Sequence, residues 1–230
     1  MKRIILVILC FLSLNTFASK LNHTYVKIST NYGEVYIKLY SETPQHRDNF
    51  IKLVKEGTLN GTLFHRVMQE FMIQGGDPDS KNAAPGKQLG EGDLGYTVPA
   101  EFLPNLFHEK GVLAAARDNN PEKASSASQF YIVQGKKYTD AELDALEAGR
   151  LKGRKIPAPQ REIYKTIGGT PQLDQSYTVY GEVVKGIQMV DNICTVKVDA
   201  NNRPLTDIHM RVSFVEGKEL RQLLKEIGSK

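Results

Sequence analysis

The chain has 230 residues, of which 40% are hydrophobic and 24% are charged, and its formal net charge at pH 7 is +4. This composition supplies enough apolar surface for a substantial core and excludes disorder of the whole chain. Lys and Arg are interspersed with Asp and Glu rather than clustered in a basic stripe, so we expect no nucleic-acid partner.

Residues 1–18 are typical of a secretory signal peptide. A basic pair precedes an apolar run at 4–14, and Ala18 is a small residue suited to cleavage on its carboxyl side. A membrane anchor is the alternative, but the run is shorter than the about 20 residues that span a bilayer. We therefore expect residues 19–230 to form an exported domain, periplasmic or secreted, with no stable membrane insertion after cleavage.

Cysteine and histidine usage limits the chemistry of this domain. After cleavage Cys194 would be the only cysteine, which excludes an intramolecular disulfide. Its apolar context, NICTV, indicates a small buried hydrophobic residue. The five histidines show no paired spacing typical of metal ligands, so the sequence indicates no metal site.

The first elements in chain order are a hairpin and a helix. Residues 25–30 and 34–40 alternate apolar and polar side chains around a turn, as in a half-buried antiparallel hairpin. In the helix that follows, Thr43 is a suitable N-cap and Pro44 fits the first turn. Gly57 can end it in a left-handed conformation.

Several short strands follow. Their predicted ranges are 62–66, 71–74, 112–116, 129–133, 178–183 and 208–215. Residues 187–193 predict a second short helix. Many short strands with only two core helices favour a mainly β fold, a closed antiparallel sheet capped by helices.

Residues 136–171 and 217–230 predict helical additions to this sheet. In the first region Thr139 and Glu142 match a capping box, Gly149 can stop the helix, and a second helical stretch follows. This insertion is either a solvated decoration or a contact for a partner or substrate. The second region predicts an amphipathic C-terminal helix.

Four segments carry a family resemblance, and they occur in the family's order. They are FHRVMQEFMIQGGDP (64–78), GVLAAARD (111–118), SQFYIV (128–133) and LDQSYTVYGEVVKG (173–186). In these segments the chain resembles the cyclophilin family of peptidyl-prolyl cis/trans isomerases, or rotamases, from about residue 25 to 215. The resemblance implies an eight-stranded β-barrel with a helix over each open end.

The resemblance also implies a reaction in which no bond is broken. Rotation about an X-Pro amide has a barrier of about 18–20 kcal/mol and needs only a weakened partial double bond, without nucleophile, acid/base pair, metal or other cofactor. Arg66 matches the family's catalytic arginine. A donor directed at the amide nitrogen favours its pyramidal form, which exists only when the amide is twisted.

Nine further positions match substrate-binding residues of the family. Four form an apolar socket for the prolyl ring, here called the proline socket: Phe71, Met72, Tyr131 and Leu173. Two are polar positions that orient the arginine and the peptide: Gln74 and Gln129. The others are the edge whose backbone would pair with an extended peptide, at Ala116 and Arg117, and the rim residue Tyr177.

Four positions depart from the family's pattern. Tyr131 replaces a phenylalanine, which places a hydroxyl at the proline socket. Gln172 replaces a tryptophan that in many members contacts cyclosporin, Tyr177 replaces a histidine and Arg117 replaces an asparagine. These changes predict weak inhibition by cyclosporin rather than loss of catalysis, because Arg66 and the apolar socket remain.

We therefore expect a monomeric prolyl isomerase that accelerates the folding of exported proteins. Its expected partners are proline-containing peptides and unfolded protein clients. The alternative is a proline-peptide binding module or holdase chaperone with the same fold. Arg66 favours the enzyme, because a binding module would not need this cation.

Overall fold

The structure is a computed structural model that describes residues 23–228, so the predicted signal peptide lies outside the described residues. Its strands are β1 (Tyr25–Thr30), β2 (Gly33–Leu39), β3 (Phe64–Met68), β4 (Met72–Gly75), β5 (Thr97–Val98), β6 (Val112–Ala115), β7 (Ser125–Ser126), β8 (Phe130–Val133), β9 (Val179–Lys185) and β10 (Arg211–Phe214). Its helices are α1 (Pro44–Glu56), α2 (Asp140–Ala148), α3 (Ala158–Thr166), α4 (Gln188–Ile193) and α5 (Gly217–Gly228). Over residues 23–228, no helix has the length and apolar character needed to cross a membrane.

Eight strands form one curled antiparallel sheet in the order β10-β1-β2-β9-β6-β8-β4-β3. The predicted mainly β class is therefore confirmed, whereas the predicted closure is not complete. The edge strands β3 and β10 share no regular ladder and meet only through an isolated bridge between Leu63 and His209 and neighbouring backbone hydrogen bonds. Strand β10 begins only at Arg211, three residues later than the start of the predicted strand at 208–215.

The other predicted strands agree with the structure to within two residues. Strands β5 and β7, which pair with each other, were not predicted. Each has only two residues, too few for an alternating pattern to be visible.

Helix α1 packs its apolar stripe into the main core. Phe50 and Leu53 are buried there, and the Phe50 ring meets the edge of Phe130 with centroids 5.6 Å apart. Gly57 ends the helix in a left-handed conformation with φ of 69°, as predicted. Thr43 occupies the N-cap position, but the prediction that its side chain caps the helix is wrong. The carboxylate of Glu101 accepts the hydrogen bonds of the first turn instead.

Helices α2 and α3 lie within the predicted insertion at 136–171. The capping box between Thr139 and Glu142 is present at the start of α2. The two helices enclose a small core of their own, in which Leu143, Ile156 and Tyr164 are buried.

The C-terminal helix α5 covers another part of the sheet. Leu223 is buried against Tyr25 and Val215, while the next residue, Leu224, is 43% exposed. Cys194 lies in the main core, where burial raises the pKa of its thiol to about 12. This agrees with a structural cysteine, because a thiol of such high pKa is a poor nucleophile.

Candidate active site

The two faces of the sheet lie against different hydrophobic clusters. On β4, β6 and β8 successive side chains point to opposite faces, as the two-residue period of a strand requires. One set, including Ile73 and Phe130, lies in the main core. The other set, including Met72 and Tyr131, lies in a second cluster together with Leu173. The predicted site is built on this second cluster.

A pocket of about 110 Å³ opens over the second cluster. Nine of the ten predicted site residues line it: Arg66, Phe71, Met72, Gln74, Ala116, Arg117, Tyr131, Leu173 and Tyr177. The tenth, Gln129, lines an adjoining depression of about 690 Å³ that shares Gln74, Ala116 and Arg117 with the pocket. The structure therefore brings residues from five separate segments together at one place.

Arg66 projects from β3 to the pocket and is held on several sides. Its guanidinium donates hydrogen bonds to Gln74 Oε1 at 3.2 Å and to the sulfur of Met68 at 3.0 Å. It also lies 6.0 Å from the ring centroid of Phe71. Half-burial lowers the pKa of Arg66, but a guanidinium stays charged in proteins. A fixed cation thus stands beside an apolar pocket.

Gln74 and Gln129 extend this arrangement into a chain of hydrogen bonds. Gln74 accepts from Arg66 and donates through Nε2 to Gln129 Oε1 at 3.1 Å. Gln129 in turn donates to the carbonyl oxygens of Gly90 and Gly92 at 2.8 and 2.9 Å. Because each amide oxygen accepts while its nitrogen donates, the two amide orientations are fixed, and so is the arginine.

The glycine turn after β4 supports that chain of hydrogen bonds. Gly76 has φ of 86°, and a Cβ atom there would collide with the carbonyl oxygen of Ser128, so no larger residue fits. The carboxylate of Asp77 accepts from the backbone N–H groups of Asp79 and Gly90. The turn therefore fixes the Gly90 segment to which Gln129 donates.

Ala116 and Arg117 differ in what their backbones can offer a peptide. The N–H of Ala116 donates to Gln129 and its carbonyl accepts from Ser126, at 3.0 and 2.8 Å. The fold thus already uses the Ala116 N–H and one lone pair of its carbonyl oxygen, and substrate pairing at Ala116 stays a prediction. Within residues 23–228 neither backbone group of Arg117 has a hydrogen-bond partner, so both groups are available to an extended peptide.

The replaced rim residues form an aromatic and cationic wall. The guanidinium of Arg117 lies 4.7 Å from the ring centroid of Tyr177, and its Nε donates to the carbonyl of Ser176 at 2.9 Å. Tyr177 meets Tyr131 edge to face, with centroids 6.0 Å apart and planes at 80°. Arg117 and Tyr177, which both depart from the family's pattern, thus pack against each other.

The hydroxyl of Tyr131 finds its partner in a histidine that the sequence did not assign to the site. Tyr131 lies 2.9 Å from Nε2 of the fully buried His108, and Nδ1 of His108 lies 2.9 Å from Asp174. Burial raises the pKa of Tyr131 well above its ordinary value, so the hydroxyl stays protonated. The one available signal was that a hydroxyl at an apolar socket needs a partner.

The site combines an arginine in a fixed orientation with an apolar pocket on one face of an eight-stranded antiparallel sheet. This arrangement is typical of the class of proteins that bind an apolar side chain of a peptide next to a positive charge. The family model of the cyclophilin-type peptidyl-prolyl cis-trans isomerases matches residues 25–213. The chain belongs to this family.

Curated relatives agree with this assignment. A protein of Staphylococcus haemolyticus named as a peptidyl-prolyl cis-trans isomerase is 33% identical over 198 residues, which is 86% of this chain and 93% of the relative. A protein of the same name from Staphylococcus aureus strain USA300 is 35% identical over 192 residues, or 83% of this chain and 91% of the relative.

Solved structures agree on the fold. A Cryptosporidium parvum cyclophilin-type isomerase has a TM-score of 0.61 at 22% identity and covers 85% of this chain and 99% of that protein. A structure of the same isomerase, determined in the presence of the dipeptide Ala-Pro, has a TM-score of 0.60 at 22% identity, with 84% of this chain and 99% of that one covered.

Proposed function

We propose that this protein isomerises X-Pro bonds in extended, proline-containing segments of unfolded polypeptides, with the prolyl ring in the proline socket. The observation that carries the proposal is the position of Arg66, a charged guanidinium held by Gln74 at the edge of an apolar pocket. The Ala-Pro dipeptide used with the Cryptosporidium structure is the kind of ligand that such a pocket would take.

Arg66 has N–H donors that remain available for this reaction. A guanidinium carries five N–H donors, and the hydrogen bonds to Gln74 and Met68 occupy only some of them. A donor aimed at the prolyl amide nitrogen would stabilise its pyramidal form more than its planar form, which is differential binding of the transition state. A gain of about 7 kcal/mol would accelerate rotation about 10⁵-fold.

The rest of the peptide would lie along the free backbone of Arg117 and the adjoining depression. A peptide that hydrogen-bonds to this edge adopts an extended conformation, and the depression can take the side chain of a neighbouring residue. These contacts would hold the chain on one side of the X-Pro bond while the other side turns.

The second candidate is a proline-peptide binding module or holdase with the same fold. The observation that favours it is the wall formed by Arg117 and Tyr177, which could bind a peptide without catalysis. Such a protein needs the pocket and the wall but gains nothing from a cation directed at the amide nitrogen. The two candidates therefore differ in how they depend on Arg66.

We further propose that the protein works on exported clients in the periplasm, or outside the cell, as a monomer. The support for export is the basic pair, apolar run and small residue within residues 1–18. Fractionation of cells that express the full chain, with the N-terminal residue of the mature form determined, would test this part separately.

The decisive variant for the enzyme is Arg66→Ala, measured on a proline tetrapeptide in a protease-free assay with residues 19–230. We expect kcat/KM to fall at least about tenfold, equal to about 1.4 kcal/mol of transition-state stabilisation, with little change in the free energy of unfolding. Arg66→Lys keeps the charge but lacks the planar guanidinium, so its kcat/KM should lie between those of Arg66→Ala and the unmodified protein.

Arg211→Ala is the matched control, because Arg211 is exposed on β10 and lies outside the pocket. Its activity should equal that of the unmodified protein. Full turnover by a folded Arg66→Ala variant would remove Arg66 from the mechanism. Peptide binding without turnover by the unmodified protein would instead identify a binding module.

A further inference from the structure

Four buried polar side chains connect the proline socket with the insertion. The hydroxyl of Tyr131 lies 2.9 Å from His108 Nε2, His108 Nδ1 lies 2.9 Å from Asp174 Oδ1, and the hydroxyl of Tyr164 donates to Asp174 Oδ2 at 2.7 Å. Tyr131 belongs to β8 and Tyr164 to α3. We call this series, Tyr131, His108, Asp174 and Tyr164, the buried relay.

The buried relay is shielded from water along its whole length. His108 and Tyr164 are 0% exposed, Asp174 is 3% exposed and Tyr131 is 4% exposed. At such positions a polar group that loses its partner costs about 1–3 kcal/mol, because water cannot replace the bond. Each member therefore constrains the orientation of the next.

The hydrogen bonds of the buried relay converge on Asp174, which accepts from both sides. Both the backbone N–H and Nδ1 of His108 lie against Asp174 Oδ1, at 2.8 and 2.9 Å, and a carboxylate only accepts. The proton of the histidine is thus assigned to Nδ1, which leaves Nε2 as the acceptor for the Tyr131 hydroxyl. Tyr164 supplies the remaining donor, to the second carboxylate oxygen.

The insertion is anchored where it joins the buried relay. The Tyr164 ring packs edge to face against Phe107, with centroids 5.5 Å apart. The backbone of Gly169 pairs with Glu109, and a Cβ atom on Gly169, where φ is 153°, would collide with the carbonyl oxygen of His108. Helix α3 is therefore fixed against the segment that carries the histidine.

Asp174 also follows Leu173 directly in the chain, and Leu173 lines the pocket. The carboxylate that receives the Tyr164 hydroxyl thus fixes two parts of the proline socket. It acts on Tyr131 through His108 and on Leu173 through the adjacent backbone. The carbonyls of Pro171 and Asp174 accept further hydrogen bonds from Arg154, also in the insertion, at 3.4 and 3.3 Å.

We propose that the insertion is part of the active-site scaffold, with Tyr164 as a positioning residue that acts on the proline socket through the buried relay. This inference rests on the proposed isomerase function. Tyr164 touches no substrate, and its contribution is to hold the ring of Tyr131 and the side chain of Leu173 in the shape that receives a prolyl ring. The insertion is then neither a solvated decoration nor only a contact for clients.

A double-mutant cycle between Tyr164→Phe and Tyr131→Phe tests this coupling. Each change removes one hydroxyl and keeps the ring. We expect Tyr164→Phe alone to lower kcat/KM for a proline tetrapeptide by about three- to tenfold, the range of one hydrogen bond. In the Tyr131→Phe background the same change should cost less, because the hydroxyl of one route is already absent and only the route through Leu173 remains.

Tyr138→Phe is the matched control. Tyr138 packs against Tyr164 in the same small core, with ring centroids 6.4 Å apart, but its hydroxyl takes no part in the buried relay. We expect its turnover to equal that of the unmodified protein. An unchanged rate in Tyr164→Phe, or an equal loss in both backgrounds, would overturn the proposal, since a purely structural role predicts additive losses.

A second measurement separates this inference from the proposed function. The ring-flip rate of isotopically labelled Tyr131, measured by NMR without substrate, should rise in Tyr164→Phe and stay constant in Tyr138→Phe. An inactive unmodified protein would refute the proposed function whatever Tyr131 does. A Tyr131 ring that does not respond to Tyr164→Phe would refute the coupling even in an active enzyme.

Discussion

Tyr131 combines two environments in one side chain. Its ring lines the pocket, whereas its hydroxyl bonds to the fully buried His108. The substitution of tyrosine for phenylalanine therefore adds no unpaired polar group to the proline socket. The expectation of weak cyclosporin inhibition then rests on Gln172, whose side chain lacks the aromatic area and the N–H donor of an indole.

His65, next to the candidate catalytic arginine, is held neutral rather than used as an acid or base. It is 4% exposed, and burial lowers the pKa of its imidazole to about 4, although the nearby Asp77 opposes this shift. A histidine with so low a pKa is uncharged at neutral pH. This agrees with a reaction that requires no proton transfer.

The low pKa of His65 predicts an acid-sensitive contribution to stability. The unfolded chain takes up the proton near the ordinary pKa of 6.5, whereas the folded protein resists it down to about 4. Between these values the unfolded state binds more protons, so stability is lost as the pH falls through this window. The contribution of His65 should be complete above pH 6.5 and decline by at most about 3 kcal/mol towards pH 4.

The measurement is the free energy of unfolding of the protein and of His65→Gln, from denaturant titrations at several pH values from 8 to 4. The difference between the two curves should change over the window from 6.5 downwards. Burial also lowers the pKa of His46, but His46 is present in both proteins and therefore adds the same pH dependence to both free-energy curves. Curves that stay parallel throughout would show that His65 titrates normally in the folded state.

Helix α1 depends for its start on a residue from a distant loop. The carboxylate of Glu101 accepts from the N–H groups of Gln45 and His46 at 3.1 and 3.0 Å and also contacts His46 Nδ1 at 2.7 Å. Thr43 at the N-cap is fully buried, and among the described residues its hydroxyl has no hydrogen-bond partner. The element is thus stabilised by a tertiary contact in place of a local cap.

We expect Glu101→Ala to lower the free energy of unfolding by about 1–2 kcal/mol, as the loss of a helix cap does. Thr43→Val, which replaces only the hydroxyl by a methyl group, should leave it unchanged or raise it, because that hydroxyl is buried without a hydrogen-bond partner. Chemical denaturation of both variants at neutral pH provides the comparison. A larger loss in Thr43→Val than in Glu101→Ala would mean that the local cap acts after all.

We expect removal of the insertion to have different effects on the folding of the whole molecule and on its peptide turnover. Lys136 and Gly169 pair through backbone hydrogen bonds of 3.3 and 3.0 Å, so the two ends already lie side by side. A short glycine-rich loop can therefore replace residues 137–168, because a change of loop length alters closure entropy only slowly. The same deletion removes Tyr164, so Asp174 Oδ2 loses the hydroxyl that donates to it.

The deletion variant should consequently fold but lose peptide turnover at least as much as Tyr164→Phe does. Such a loss would exclude the solvated decoration that the sequence left open as one interpretation of the insertion. The assays are turnover of a proline tetrapeptide and refolding of a protein limited by proline isomerisation. A chain ending at residue 216, which lacks α5 but keeps the buried relay, is the control, and full peptide turnover by the deletion variant would contradict the prediction.

The sequence by itself determined the type and order of most elements and the composition of the pocket. Alternating apolar residues define β1 and β2, and the capping box at Thr139 defines the start of α2, because these signals lie within a few neighbouring residues. The family motifs named Arg66 and the nine further site residues, since those motifs are short and continuous in the chain.

Only the tertiary structure decided how these residues depend on one another. The partner of the Tyr131 hydroxyl, the cap of α1 from Glu101 and the bond from Tyr164 to Asp174 all join positions that no local pattern relates. The incomplete closure of the sheet likewise depends on where β3 and β10 meet in space. The physical reason is that a buried polar group must find a partner, and the fold, not the neighbouring sequence, determines which partner lies within reach.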